Sequence, residues 1–477
     1  MRALLVIVLI CVTFFSCNDN NNQCGTAYFG GEIINANNDH IVFYNRSDEP
    51  LDTIYLDENN RFSLRIENLE PGLHSFVHGG ETQSLVLEAN DSILIRLNTL
   101  EFDESLVFTG NGAKKNNFLI DLFNTFEEEE RKMFKAGTKS PEEFSAIVDS
   151  LKNQKKMSLN QLEASLNTSP LYNKIATASI NYNYFSHLER YPFRHYKPDE
   201  LNEIEELPEE FYNFRAEVSY DEEDIKHYYT YYNFLFPHIN NLALQHYFKK
   251  DNTRKFDANS LAYNQIKLFL IDSLISNAYI KNNMLKHTTR NFLSYNSSIE
   301  ESKIIYDEFH GKCSDQEHKE YIDKLYANLE RLRPGNPFPS IELLDYQNQL
   351  HHLKTIVHKP TVIYFWSKAI RGHFKESHER VNVLKETYPE LDFISININP
   401  TNTSKVWRRL LSRYNFSLEN EYRFMHPDVA KKILALNYIN KVMVVDSNNN
   451  IIASNAYMFS PEFKELLAEV AADNTLK

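Results

Sequence analysis

Thiols, imidazoles and guanidinium groups are the side chains with chemistry to offer here, and their spacing restricts what that chemistry is. The four cysteines, Cys11, Cys17, Cys24 and Cys313, are too few to staple 477 residues, so any role they have is local. Three fall within the first 24 residues and the fourth stands alone. His227, His238 and His246 have no spacing that sets two of them on one helical face, which leaves no metal site there. His373 and His378 flank Lys375 and Glu376, but five residues along a helix turn two side chains about 140° apart, the wrong geometry for chelation. They read as solvated helix residues, with an acid–base role as the alternative. Arg371, at a helix start, is placed to hold an anion beside free backbone N–H groups. His351, His352 and His358 suit a loop ahead of a strand. The aromatic run from Tyr228 to Phe236 offers rings for stacking on a sugar, and equally rings for helix–helix contact.

Composition removes whole classes of function. Twelve glycines leave little material for Gly-rich phosphate loops, which sets nucleotide enzymes aside. With 51 Lys and Arg against 65 Asp and Glu, the formal charge is −14. Such a chain lacks the basic footprint that counterion release at a phosphate backbone requires, so no nucleic-acid partner is expected. A hydrophobic content of 42 % supplies cores for about three domains.

The first residues describe an address. Met1-Arg2 precedes an apolar run from Ala3 to Phe15, too short to span the ~30 Å hydrocarbon core of a bilayer and so an export signal rather than a membrane helix. Cys17 directly after Ser16 resembles the lipobox of bacterial lipoproteins, which implies that Cys17 becomes the lipid-bearing first residue. Phe14 and Phe15 stand where that motif has Leu and a small residue, so an unlipidated signal peptide or an uncleaved anchor is the alternative. Residues 18–24 then form a solvated, Asn-rich tether.

Eight of the twelve glycines precede residue 113, among alternating apolar residues. Ile54 and Leu56 with Phe62, Leu64 and Ile66 flank Asp57-Glu58-Asn59-Asn60. Leu85-Val86-Leu87 and Ile93-Leu94-Ile95 flank Ala89-Asn90-Asp91. Both patterns predict hairpins, and 25–112 reads as a small antiparallel β domain. No glycine occurs between Gly137 and Gly311 and no proline between Pro237 and Pro334, a composition that helices tolerate. Ser140-Pro141-Glu142 gives a cap, a proline at the first helical position and an acid in the first turn, and 113–334 reads as helical.

From Gly335 the pattern changes again. Thr361-Val362-Ile363-Tyr364-Phe365-Trp366 predicts a buried strand, and Phe374, Val381, Leu384 and Tyr388 one face of a helix. Leu391–Ile398 follows as a second strand, then an inserted helix around Val406, Trp407, Leu410 and Leu411. Val442–Asp446 and Ile451-Ile452 make a hairpin about Ser447–Asn450, and Ser460-Pro461-Glu462 opens a terminal helix. This order, with Gly335-Asn336-Pro337-Phe338-Pro339 and the Phe365-Trp366 pair, resembles the TlpA-type thioredoxin-like redoxins of the bacterial envelope. Asn60-Arg61-Phe62 and Phe108-Thr109-Gly110-Asn111-Gly112 are similar to the β domain that precedes this module in many such lipoproteins. The fold class expected is a multidomain α+β chain with an N-terminal antiparallel β domain (25–112), a helical middle region (113–334) and a C-terminal thioredoxin-like α/β domain (335–477), behind a signal peptide (1–17) and tether (18–24).

The resemblance implies dithiol chemistry from a CxxC motif at the first helix's N-terminus, where free N–H groups stabilise a thiolate. The sequence there reads Ser367-Lys368-Ala369-Ile370-Arg371-Gly372-His373, with Ile370 and His373 in the two cysteine positions, and no cysteine occurs anywhere in 335–477. The family's cis-proline position falls on Asn440, where a trans peptide is expected because a non-proline cis bond costs about 2.5–4 kcal/mol. The resulting expectation is a membrane-anchored envelope lipoprotein on the periplasmic or cell-surface side, non-catalytic, without cofactor or metal. It holds a protein or peptide partner near Ile370, Arg371, Gly372, His373 and Asn440. The alternatives are an enzyme working through another residue such as Cys313, and glycan capture by the aromatic helical region.

Overall fold

The computed structural model describes residues 25–197, 200–250, 255–296, 298–400 and 404–475. The expected signal peptide, the lipid-bearing Cys17 and the tether lie outside the described residues, as do Cys11 and Cys24. The chain parts into two compact units between Asn241 and Leu242, so the helical stretch 113–334 is divided between them.

The first unit begins with β1 (Gly25–Ile34), β2 (His40–Tyr44), β3 (Pro50–Tyr55), β4 (Arg61–Leu69), β5 (Gly72–His78), β6 (Glu81–Leu87) and β7 (Ser92–Asn98). A single helical turn, α1 (Phe102–Ser105), leads to β8 (Val107–Asn111). The strands form two four-stranded sheets, β4-β1-β7-β8 and β3-β2-β5-β6. Their apolar faces meet at Phe29, whose ring lies 5.5 Å from Phe43, 5.3 Å from Phe62 and 5.4 Å from Phe76. Pairing is antiparallel except between β1 and β7, which run parallel.

The two turns expected to close hairpins are corners between the sheets. Asp57 N–H donates to Arg61 O at 2.8 Å and Asn60 takes φ +56°, as the turn residues predict. Yet β3 pairs with β2 and β4 with β1. In the same way Asn90, at φ +69°, turns the chain from β6, paired with β5, to β7, paired with β1 and β8. Turn chemistry is local, whereas the choice of sheet follows from which faces the Phe29 cluster buries.

Helix α2 (Ala113–Ala136) is docked onto both sheets by two adjacent amides. Val86 N–H donates to Asn116 Oδ1 at 2.7 Å, and Asn116 Nδ2 donates back to Val86 O at 2.9 Å. Asn117 repeats this double bond with Phe108 at 2.9 and 2.8 Å. Each amide stands in for a missing neighbour strand at a sheet edge, where peptide groups otherwise go unpaired. Gly112 starts the helix at φ +90°, and a Cβ there would meet the Asp91 carboxylate at 2.5 Å. That carboxylate accepts from Glu88 N–H at 2.9 Å and from Lys115 Nζ at 3.1 Å, and Lys115 also pairs with Glu88.

Helices α3 (Pro141–Leu166) and α4 (Pro170–His195) each begin with a Ser-Pro pair; Ser140 Oγ accepts from Glu143 N–H and Ser169 Oγ from Tyr172 N–H. Short 3-10 segments, Leu201–Glu206 and Glu209–Glu217, precede α5 (Tyr229–Lys250). The aromatic run is core: Tyr231 and Phe234 are fully buried, and Phe234 stacks on Tyr182 at 5.0 Å. Beneath it Glu189, fully buried, accepts from Arg215 at 2.8 and 2.7 Å and meets His238 Nδ1 at 2.6 Å. Burial pushes its carboxyl up, but His238 and Arg215 outweigh this and hold it below the usual range.

The second unit carries α6 (Leu261–Leu274), α7 (Ala278–Tyr295), α8 (Ile299–Lys312) and α9 (Gln316–Arg331) ahead of a mixed sheet. Its strands are β9 (Glu342–Leu344), β10 (Leu350–His352), β11 (Thr361–Trp366), β12 (Asp392–Asn397), β13 (Glu421–Phe424), β14 (Lys441–Val445) and β15 (Ile451–Tyr457). The order is β10-β9-β13-β12-β11-β14-β15. The helices are α10 (Leu353–Ile356), α11 (Arg371–Thr387), α12 (Ser404–Tyr414), α13 (Pro427–Ile433) and α14 (Pro461–Thr475). Central β11 runs parallel to β12 and antiparallel to β14, with every residue buried. Val381 and Leu384 of α11 and Phe463 and Leu467 of α14 pack on one of its faces. This is the thioredoxin-like α/β arrangement, and the chain as a whole is multidomain α+β. His351 and His352 stand in the edge strand β10 rather than in a loop, with His351 Nε2 2.9 Å from Asp345 Oδ2.

Because Val86 offers both its peptide groups to Asn116 inside the fold, Asn116→Leu leaves a buried donor and acceptor unpaired. The expected loss is about 2–4 kcal/mol, read as a lower urea midpoint with unchanged slope. An unchanged midpoint would mean that these groups need no partner.

Candidate functional site

Strand β11 delivers the chain to the surface in four residues. Ser367 is still buried, while Lys368, Ala369, Ile370, Arg371 and Gly372 are exposed. Ile370 N–H donates to Ser367 O at 3.2 Å, and Phe374 N–H to Ile370 O at 3.0 Å, so Ile370 is the residue from which α11 springs. It has no side-chain cap, and its own side chain is 48 % exposed. Three polar residues that the sequence did not single out fix this loop. Asn399 accepts Lys368 N–H at 2.8 Å and donates to Ser367 Oγ at 3.0 Å, and Asn397 Nδ2 donates to Asn399 Oδ1 at 3.0 Å.

One turn on, His373 is half-buried with Nε2 3.2 Å from Ser377 Oγ, and its Nδ1 is buried without a hydrogen bond. Burial pushes its pKa down, Glu376 opposes this in part, and the neighbouring His378 adds a lesser push downward. Neither Ile370 nor His373 brings a redox-active atom to the helix start.

His378 is not the solvated residue that its place between charges suggests. It is 4 % exposed, stacked on Phe416 at 4.6 Å and edge-on to Phe374 and Trp366 at 4.6 and 5.7 Å. Its Nδ1 meets Phe374 O at 2.8 Å and its Nε2 meets Glu421 Oε1 at 2.9 Å. A carbonyl oxygen only accepts, so Nδ1 carries a proton, and the Nε2–Glu421 contact needs a second one on either partner. The pair is a buried, neutralised crosslink between α11 and β13. Tyr364 stands beside it, its phenol pushed well up by burial and then by the Glu421 charge.

Continuing the β11–β14 register, in which Tyr364 faces Val442, brings Asn440 level with Trp366, at the end of the sheet where the Ile370 loop leaves. Asn440 is exposed, and no cis peptide bond occurs among the described residues. The chain just before it is held by α7. Asn437 Nδ2 donates to Ser294 Oγ at 2.5 Å, Tyr438 stacks on Tyr295 at 4.3 Å, and Asn455 Nδ2 donates to Ser294 O at 3.1 Å. Ile370, Arg371, Gly372 and Asn440 thus share one exposed end of the sheet, with His373 half-sunk behind them.

Other residues with chemical potential are engaged elsewhere. Cys313 is buried, its Sγ 3.7 Å from Asp315 O, and burial pushes its thiol up, the reverse of what a nucleophile needs. In the first unit a cleft of about 1120 Å³ is lined by Arg46, Glu88, Asp91, Lys115, Ser169 and Asp224. Within it Arg46 pairs with Asp224 and Lys115 with Glu88 and Asp91, and Lys114 stands on its lining as well. Among the described residues no group of three His, Cys, Asp or Glu side chains converges as a metal site.

Lys441, next to Asn440, is 1 % exposed and donates to Leu434 O at 2.9 Å and Ala435 O at 3.4 Å. With carbonyls for partners and no carboxylate, burial pushes it down to about 7; a neutral amine still supplies both N–H bonds. An unfolded lysine keeps its proton to about pH 10.4, so between these values the unfolded chain binds the extra proton and folding stability rises with pH. Chemical-denaturation midpoints are therefore expected to climb from about pH 7 to pH 9, and to climb less in Lys441→Met. Equal slopes in the two chains would contradict this.

The chain matches no family model, and no curated protein matches its sequence. Among solved structures it is similar to a protein described as a thiol-disulfide oxidoreductase from Bacteroides vulgatus, with 24 % identity and a TM-score of 0.27 over 29 % of this chain and 98 % of that one. The C-terminal domain of a protein so described from Bacteroides thetaiotaomicron gives 15 % and 0.26, over 30 % of this chain and 99 % of its own. A protein described as the thiol:disulfide interchange protein DsbE from Chlorobium tepidum gives 15 % and 0.25, over 30 % and 98 %. The likeness is one of fold.

Proposed function

We propose that this chain is an exported envelope protein, anchored through lipid on Cys17, whose thioredoxin-like domain holds a protein or peptide partner and performs no thiol–disulfide exchange. The observation that carries the reading is the absence of cysteine from residues 335–477, with Ile370 and His373 where α11 begins. Thiol exchange needs a thiolate at the helix start and a second thiol to resolve the mixed disulfide; an alkyl group and an imidazole supply neither. Exposed Ile370, on a loop fixed by Ser367, Asn397 and Asn399, suits contact with a bound chain. Cys313, buried and with its thiol pushed up, gives the enzyme reading no support.

In a disulfide-reduction assay the chain is expected to match the uncatalysed rate before and after thiol alkylation, whereas Ile370→Cys with His373→Cys gains measurable turnover. Turnover by the native chain that alkylation abolishes would sink the proposal. In detergent-solubilised envelopes Ile370→Asp is expected to lose co-purifying partners, and an unchanged partner set removes the groove from the reading. Replacing Cys17 by Ser is expected to move the chain from the membrane to the soluble fraction; a chain that stays membrane-bound is not held by lipid at that residue.

A further inference from the structure

The charge of the chain is unevenly placed. Residues 335–477 carry 17 Lys and Arg against 15 Asp and Glu, while the whole chain has 51 against 65. Inside the thioredoxin-like domain, residues 346–375 and 393–418 contain no Asp or Glu at all. Between them they hold nine cations, Lys354, Lys359, Lys368, Arg371, Lys375, Lys405, Arg408, Arg409 and Arg413.

The fold brings the two acid-free stretches together. Trp366 and Phe374 from the first and Trp407, Leu410 and Leu411 from the second form one buried cluster, with Tyr346, Tyr414 and Phe416 packed against it. The inner faces of α11 and α12 are thus joined, and their outer residues form one surface. Lys368, Ile370 and Arg371 are exposed on one side of it, and Val406, Arg409 and Arg413 on the other. Among the described residues no ion pair neutralises Lys368, Arg371, Arg408, Arg409 or Arg413. Arg408 lies 5.4 Å from the Tyr346 ring and Arg423 5.9 Å from the Trp407 ring, and Arg408 Nε is buried without a hydrogen bond. The two guanidiniums are close enough that Arg408 adds to the burial which pushes Arg423 down.

We propose that this rim, from Lys368 and Arg371 across Ile370 to Arg409 and Arg413, docks an acidic protein segment that also carries aliphatic side chains. The inference rests on the holding function argued above and names the chemistry of the partner. Lys368, Arg371, Arg409 and Arg413, exposed and outside the ion pairs of the described residues, favour an anionic occupant. Arg371, Arg409 and Arg413 each offer a planar fork that pairs with a carboxylate through two parallel N–H bonds, which suits acids at defined positions better than a diffuse lipid surface. Ile370 and Val406 offer contact to apolar residues between those carboxylates.

The test is fluorescence anisotropy of the full chain with a labelled peptide of alternating Glu and Leu, against a Lys and Leu counterpart. The Glu peptide is expected to bind and the Lys peptide not, with affinity falling about tenfold between about 50 and 300 mM salt. Arg409→Glu with Arg413→Glu, both on the exposed face, is expected to weaken binding at least tenfold without moving the thermal midpoint. Absent binding of the Glu peptide, or binding that the double variant keeps, overturns the proposal. Phosphatidylglycerol vesicles that bind while the peptide does not overturn it in favour of a membrane surface. If Ile370→Asp loses envelope partners while the arginine variant keeps them all, the acidic chemistry fails and the holding function stands.

Discussion

The contact between Trp366 and Phe374, ring centroids 4.3 Å apart, governs where this module meets its surroundings. Trp366 ends a strand buried throughout, and Phe374 is the first buried residue of α11. With both ends fixed in one cluster, the seven residues between them have to rise to the surface and return. Whatever occupies position 370 is therefore presented to solvent at the start of a helix. Aromatic and aliphatic packing anchors both ends of this loop, and the amides of Asn397 and Asn399 fix its first residues. Beneath it His378 and Glu421 tie α11 to β13, and this link does not depend on cysteine.

Buried charge is handled in two ways. Lys115 with Glu88 and Asp91, and Glu189 with Arg215 and His238, are compensated at hydrogen-bond distance; such sets resist loss of either partner more than they add net stability. Lys441, in the thioredoxin-like domain, is held instead by two backbone carbonyls, those of Leu434 and Ala435. Lys441 satisfies the carbonyls at the end of α13, a role that a neutral amine fills. Arg408 lies instead against the Tyr346 ring.

Much of this was legible in the sequence because the signals are local. Ser140-Pro141 and Ser460-Pro461 cap helices as read, and the Asp446–Asn450 turn closes the β14–β15 hairpin. The strand Thr361–Trp366 and the exposed Ile370 were also readable, the first from an unbroken apolar run and the second from its place at the end of it. What escaped depends on partners far away in the chain. The Asp57–Asn60 and Ala89–Asp91 turns have hairpin chemistry, but the sheet each strand joins is set by Phe29 and its partners. His378 looked solvated because its neighbours Lys375, Glu376 and Glu379 are charged, and its true partner is 43 residues on. Asn116 and Asn117 are ordinary helix residues until their bonds to Val86 and Phe108 are seen. Ser169-Pro170 repeats the Ser140 signal and was there to be read.

The loop before β14 bears on how such a surface is reached. In the second unit Asn437, Tyr438 and Asn455 are bound to Ser294 and Tyr295 at the end of α7, so that flank of the Ile370 loop is occupied by the chain itself. Asn440 stays exposed, and the open approach to Ile370 is the one bordered by α12. For the acidic occupant proposed above, Arg409 and Arg413 on α12 and Ile370 at the head of α11 are all exposed. Long-range attraction would then set its orientation, with apolar contact following at short range, the order in which charged rims and apolar centres act during association. Helix α7 accordingly does more than precede the thioredoxin-like domain in sequence: through Ser294 and Tyr295 it binds the segment that leads into β14.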